Sequence, residues 1–277
     1  MHRTKTFLLM VILTVVFIFL GGAIAGENGM IMASGFALVL NFFSYWYSDK
    51  LAIKMTRSQP LDESEAPEIY EIVRNLTRNA NLPMPKIYLT PSDQPNAFAA
   101  GRNPGNSTIA LTRGIINLLN KEELEGVIAH ELSHIKNRDT LISTMAAVLA
   151  GALAFLARMG RFRMLFGGRR GRNKGGALLQ IIALIFAPLA AILIRMAISR
   201  SREYLADQTG AEITGNPEGL ASALEKMNSR VQRNPMKVNE ATSHMFILNP
   251  LSAEGMSKLF STHPPVTERV EKLRQIR

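Results

Sequence analysis

Asn120-Lys121-Glu122-Glu123-Leu124-Glu125-Gly126-Val127-Ile128-Ala129-His130-Glu131-Leu132-Ser133-His134, with the apolar run Leu141–Ala157 shortly after it, is the stretch that decides how this chain folds. Asn120 with Glu123 three residues later is an N-cap and capping-box pair, so a helix opens here. At about 100° per residue, His130 and His134 fall one turn apart on one face. Leu124, Ile128, Leu132 and Ile135 fall on the opposite side and are expected to bury the helix there. Two imidazoles at this spacing can reach one zinc ion, leaving Glu131 beside an open coordination position. The competing reading is two unrelated histidines on a solvated face. It requires a chance match to coincide with a good cap and an apolar back face.

Two histidines leave a zinc ion short of a protein ligand. The chain has no cysteine, so the third must be His, Glu or Asp. Glu203 in Arg202-Glu203-Tyr204-Leu205-Ala206-Asp207 is the best candidate, with Asp207 or Asp139 next in line. Asp207 sits one helical turn beyond Glu203 and can orient a ligand imidazole through its free N–H. Position strengthens this weak signal. The run Leu141–Ala157 starts just after His134, and a further run, Ala177–Ile194 continuing past Arg195 to Ile198, ends just before Glu203. If the two runs form a hairpin, its ends bring His134 and Glu203 together.

Outward from this region the chain reads as a membrane protein. Apolar runs at Phe7–Ala25 and Met30–Tyr47 bring the total to four, each about the 17–25 residues that a hydrocarbon core requires. Only 19% of the 277 residues are charged, below the quarter or so usual in soluble domains. The formal charge of +10 accompanies no nucleic-acid-binding motif, so basic residues flanking lipid are the better reading and no nucleic-acid partner is expected. Gly26-Glu27-Asn28-Gly29 looks like the turn of a hairpin. A cleaved signal peptide ending at Ala23-Ile24-Ala25 is the rival for the first run. Tyr45, Trp46 and Tyr47 close the second run as interfacial aromatics, and Lys50, Lys54 and Arg57 place the polar region after Tyr47 in the cytoplasm.

The expected organisation is an N-terminal transmembrane hairpin over 1–47, a first catalytic segment over 48–140, a second hydrophobic hairpin over 141–198 and a second catalytic segment over 199–277. Within the first segment, Pro67 opens a helix with the stripe Ile69, Ile72, Val73 and Leu76. Lys86–Thr90, Asn96–Ala100 and Ser107–Thr112 read as short strands. The second segment reads as helices, including Pro217–Val231 and Pro265–Ile276.

The His-Glu-x-x-His helix, the later Glu-x-x-x-Asp helix and four apolar runs resemble the HtpX family of bacterial inner-membrane zinc endopeptidases, relatives of the type I CAAX prenyl endopeptidases. Pro95-Asn96-Ala97-Phe98-Ala99, Asp139 and Thr262-His263-Pro264-Pro265 extend the resemblance over essentially the whole chain. It implies a mainly α integral membrane protein, with a gluzincin-like domain and small β-sheet assembled from two segments. It also implies one zinc ion per chain held by His130, His134 and Glu203, with Glu131 catalytic. Misfolded or damaged membrane proteins would be the substrates, cut at the cytoplasmic face in heat-shock quality control.

Further expectations concern the surrounding residues. Asp207 and Asp139 are expected behind the ligands. His263, before a stiff Pro-Pro turn, is either a donor to the developing oxyanion or an ordinary helix-entry residue. Asn96, Ala97, Phe98 and Ala99 are expected on an edge strand where substrate lies by strand addition, or on a plain buried strand. Seven positive charges between Arg158 and Lys174 conflict with the positive-inside rule if the second hairpin fully spans; full spanning is nonetheless the expectation. A transporter would carry more ionisable residues in its spans. A zinc scaffold has no use for Glu131 at an open position. A CAAX-type enzyme would be expected to have more spans.

Overall fold

The computed structural model describes residues 2–145, 200–233, 247 and 264–276. Helical backbone runs from His2 to Trp46 (α1), but it is not one rod. Asn41 Nδ2 donates to the Met10 carbonyl at 3.3 Å and to Thr14 Oγ1 at 2.9 Å, and the Phe17 and Phe36 rings lie 5.3 Å apart. On a straight helix, residues 10 and 41 would be about 46 Å apart. The chain reverses at Gly26, whose φ of 59° is open to glycine at little cost. Gly21 has no room for a Cβ against the Gly29 carbonyl, so small residues let the two arms close. The turn falls where the sequence places it.

Among the described residues, one helical stretch is long and apolar enough to cross a membrane, Gly26–Trp46; Met10–Phe19 is a shorter apolar helix. Phe19, Ile31, Met32 and Leu38 point outward from this hairpin. The third run beyond Met145, the fourth run and the basic stretch between them lie outside the described residues.

After a one-residue break at Tyr47, α2 (Ser48–Thr56) leads into a four-stranded sheet. Its strands are β1 (Gln59–Pro60), β2 (Lys86–Thr90), β3 (Ala97–Asn103) and β4 (Asn106–Thr112), in the order β1-β2-β4-β3. The β2–β4 pair is parallel and the outer pairs are antiparallel. The expected strands are present, β2 with the bounds read from the sequence. β3 starts one residue later than expected, because the Asn96 N–H goes to Thr112 Oγ1 at 2.8 Å. It also runs further, through a bulge at Gly101 (φ 138°) where a Cβ would strike the Asn106 backbone. Helix α2 covers one face of the sheet, packing Ala52 against Phe98, Ala100 and Ala110, all fully buried.

Behind the other face lies the main core. It draws on α3 (Pro67–Ala80), whose Ile69, Ile72, Val73 and Leu76 are all buried, then the short α4 (Arg113–Leu118) and the motif helix α5 (Lys121–Asn137). From the second segment come α6 (Arg200–Thr214), α7 (Pro217–Arg233) and α8 (Val266–Arg274). Helix α5 is buried on both faces, not on an apolar back alone. Leu124, Ile128, Leu132 and Ile135 are covered, and so are His130, Glu131 and Ser133, because the helix is wedged between β3, α3, α6 and α7. Gly126 permits the closest approach, since a Cβ there would sit 2.5 Å from the Leu220 nitrogen.

The entry to α5 is fixed by a reciprocal cap. Asn120 Oδ1 accepts from the Glu123 N–H at 2.9 Å, and Glu123 Oε2 accepts from the Asn120 N–H at 3.0 Å. Ser222 and Lys226 of α7 donate to the same carboxylate at 2.6 and 2.8 Å. Asn120→Ala is expected to cost about 1 kcal/mol, read as a lowered thermal midpoint in detergent. An unchanged midpoint would show that α7 alone anchors this helix end.

Candidate metal centre

Helix geometry brings His130 and His134 together, and tertiary packing brings a third group to them. The two Nε2 atoms are 3.2 Å apart. Glu203, on the first turn of α6, places Oε2 3.8 Å from His130 Nε2 and Oε1 3.8 Å from His134 Nε2. One ligand atom from each of the three lies within 4.8 Å of the others. Gly210 lets α6 lie this close, since a Cβ there would sit 3.1 Å from the His130 nitrogen.

The outer nitrogens settle which atoms face inward. His130 Nδ1 lies 2.9 Å from Asp207 Oδ1, and His134 Nδ1 lies 3.2 Å from Asp139 Oδ1. A carboxylate can only accept, so each neutral imidazole donates from Nδ1 and turns the lone pair of Nε2 inward. Two inward lone pairs at 3.2 Å beside a carboxylate repel unless a proton or a metal cation lies between them. Tetrahedral zinc with bonds of 2.0–2.1 Å to nitrogen would separate two such atoms by about 3.3 Å. The donor set, its spacing and its need for positive charge therefore fit a zinc-sized cation. Asp207→Asn, which weakens the acceptor behind His130, should lower metal affinity by roughly 10–100-fold, measured by chelator competition. Wild-type affinity would mean that Asp207 does not tune the ligand.

Electrostatics separate the two imidazoles: His130 is held neutral, while the acids around His134 favour a positive charge there, carried by a proton or by a metal ion. Burial pushes His130 below its usual pKa, which keeps it neutral. For His134 burial acts downward too, but Asp139, Glu203 and Glu131 outweigh it and hold the group up at about 10. Burial raises Glu131 to about 7, with Glu203 adding to the rise while His134 and a hydrogen bond from the Ala99 N–H oppose it. Glu131 itself is 2% exposed and is not among the three grouped ligands.

Arg269 on α8 is the residue that sequence reasoning missed. It is fully buried, donating from Nε and Nη2 to Asp207 at 2.8 and 2.6 Å and from Nη1 to the Ile247 carbonyl at 3.1 Å. Burial opposes its charge, but Asp207, Glu203 and Glu131 hold its pKa above the usual arginine value. Its clue was present: it occupies an inward position beside Val270 and Leu273, both buried. An arginine in a core register needs a buried acid.

Strand β3 is at the edge of the sheet among the described residues, and Ala97, Phe98, Ala99 and Ala100 are all buried. Its outer side is partly engaged already. The Ala97 carbonyl accepts from the Ile247 N–H at 3.3 Å, the Ala99 N–H serves Glu131, and the Gly101 carbonyl accepts from Thr140. Asn96 uses its side chain on the Ala97 N–H at 3.2 Å. His263 lies outside the described residues.

Residues 63–277 match peptidase family M48. A protease HtpX homolog of Pelotomaculum thermopropionicum is 52% identical over 276 residues, covering 99% of this chain and 98% of the relative. Homologs with the same name from Thermococcus sibiricus and Pyrococcus abyssi are 53% and 50% identical, each covering 98% of this chain and 95% of the relative. The crystal structure of S. mikatae Ste24p aligns with a TM-score of 0.48 and 15% identity, covering 94% of this chain and 61% of that one.

Proposed function

The chain belongs to peptidase family M48 and is an HtpX-type metalloprotease, and from that premise we propose that it is a zinc endopeptidase of the bacterial inner membrane, multi-pass, cutting misfolded or damaged membrane proteins at the cytoplasmic face in heat-shock quality control. The observation that carries the site is the pair of inward Nε2 atoms beside Glu203, each imidazole backed by its own aspartate. His130, His134 and Glu203 would hold the zinc, one ion per chain. The apolar hairpin ending in Trp46 and Tyr47 supports contact with a lipid bilayer. The four-span, gluzincin-like organisation belongs to the same proposal.

Bound zinc supplies a water acidified toward neutrality and a polarised scissile carbonyl. Glu131, buried next to the ligands, takes the proton from the attacking water and passes it to the leaving amine. Asp207 and Asp139 hold the imidazoles in the required tautomer. Arg269 keeps Asp207 ionised and in place. His263, preceding two prolines, is proposed as the donor to the oxyanion. Asn96, Ala97, Phe98 and Ala99 are proposed to receive an extended substrate along β3, and with Ala97 already bonded to Ile247, substrate must displace that contact or bind beyond it.

Metal analysis and casein cleavage by the detergent-purified chain, with and without chelator, test the reading. Stoichiometric zinc and chelator-sensitive cleavage are expected; cleavage by metal-free protein would overturn it. Glu203→Ala should lose most bound zinc together with activity. Full zinc occupancy in that variant would move the third ligand to another residue.

A further inference from the structure

The end of the apolar hairpin is tied directly to the strand that carries the candidate site. Trp46 and Tyr47 are 46% and 40% exposed, with Phe42 and Phe43 packed beside them. Lys50 lies 5.4 Å over the Tyr47 ring. Aromatic rings next to basic side chains mark the level of the lipid headgroups. At that level Arg102, on β3, lays its guanidinium 4.4 Å over the Trp46 ring and donates to the Trp46 carbonyl at 3.4 Å. The face of the sheet away from the main core is clamped by α2, which continues from Tyr47 and buries Ala52 on Phe98. The sheet therefore cannot swing freely away from the end of the span.

Ala99, whose N–H serves the Glu131 carboxylate, is three residues from Arg102 on the same strand. At about 3.3 Å per residue, those three residues cover about 10 Å. This is a contour length, so it bounds the height of the Ala99–Glu131 contact above Arg102 whatever the tilt of the strand.

We propose that this geometry makes the enzyme a short-range ruler: in the membrane-protein substrates of the reading above, the cut falls in the extended stretch that leaves the bilayer, within about three residues of the headgroup level that Arg102 marks. Anchoring in the same bilayer presents that stretch at high effective concentration, so little side-chain recognition is required. Arg102 and Trp46 set the distance as positioning residues and take no part in the chemistry. The proposal rests on the endopeptidase reading above and adds to it a cleavage position and the two residues that set it.

The test uses the full chain in vesicles with a single-span substrate carrying a repetitive, flexible tail. Distance from the membrane is then the variable, and cuts are mapped by mass spectrometry. Cuts should cluster within about three tail residues of the headgroup level and track the end of the span when apolar residues are added to it. The anchored tail should be cut at least about a hundredfold more efficiently than the same tail as a free peptide. Arg102→Ala and Trp46→Ala should spread the cuts along the tail while detergent casein cleavage stays within about twofold, and Arg102→Lys should restore the cluster. Evenly spread cuts by the unaltered chain, or equal efficiency on the free tail, would overturn the ruler while leaving the peptidase intact. Absence of casein cleavage would instead overturn the endopeptidase reading.

Discussion

Glu131→Gln should retain zinc at wild-type stoichiometry and cleave casein about 10²–10⁴-fold more slowly, the range lost with a positioned general base. The substitution preserves shape and an acceptor for the Ala99 N–H, so neither the helix nor β3 has cause to move. It leaves His130, His134 and Glu203 untouched and removes only the group able to carry a proton. Burial already lifts the Glu131 carboxyl to about 7, where a base can both accept a proton and return it near neutral pH. Metal content and rate must be measured on the same preparation. A near wild-type rate at full zinc would remove Glu131 from the chemistry. Loss of zinc along with the rate would show that it supports the ligands.

Arg269→Leu should destabilise the domain by about 3–5 kcal/mol, the cost of orphaning one member of a buried ion pair. Arg269 is fully buried and Asp207 is 3% exposed, so water cannot replace the lost partner. The helix α8 that carries Arg269, the Asp207 behind His130 and the Ile247 carbonyl beside β3 are all joined through this one guanidinium. Metal affinity should fall with stability, because Asp207 then has less reason to stay ionised and in place. Adding Asp207→Asn should recover part of the loss, since the unpaired charge is gone. Denaturation in detergent with and without zinc reads all three. A single-variant cost below about 1 kcal/mol would mean that the pair is not a keystone of the fold.

Much of this molecule is written locally. The cap Asn120/Glu123, the i, i+4 histidines, the stripe of α3 and the turn at Gly26 depend on residues within a few positions of one another, and each lies in the structure where the sequence puts it. Composition and the apolar runs set the membrane reading in the same way. The absence of cysteine narrows the ligand chemistry by composition alone.

Tertiary structure alone decided everything that depends on distance in space between residues far apart in the chain. The sequence singles out Glu203 by its place after the fourth apolar run, but its carboxylate meets two imidazoles only because α6 crosses α5 at Gly210. Arg269 stands at an inward position of α8, but its partner, Asp207 at 2.6 Å, is fixed only by the packing of that helix. Burial of α5 on both faces comes from how many elements converge on it, which periodicity in a single helix cannot report. The link from Trp46 to Arg102 likewise joins an apolar helix to a strand that sequence reading treats as separate segments. Local pattern carries backbone geometry because its causes are local sterics and capping. Charge pairing and ligation are set by the packing of whole elements, and only the folded core fixes that.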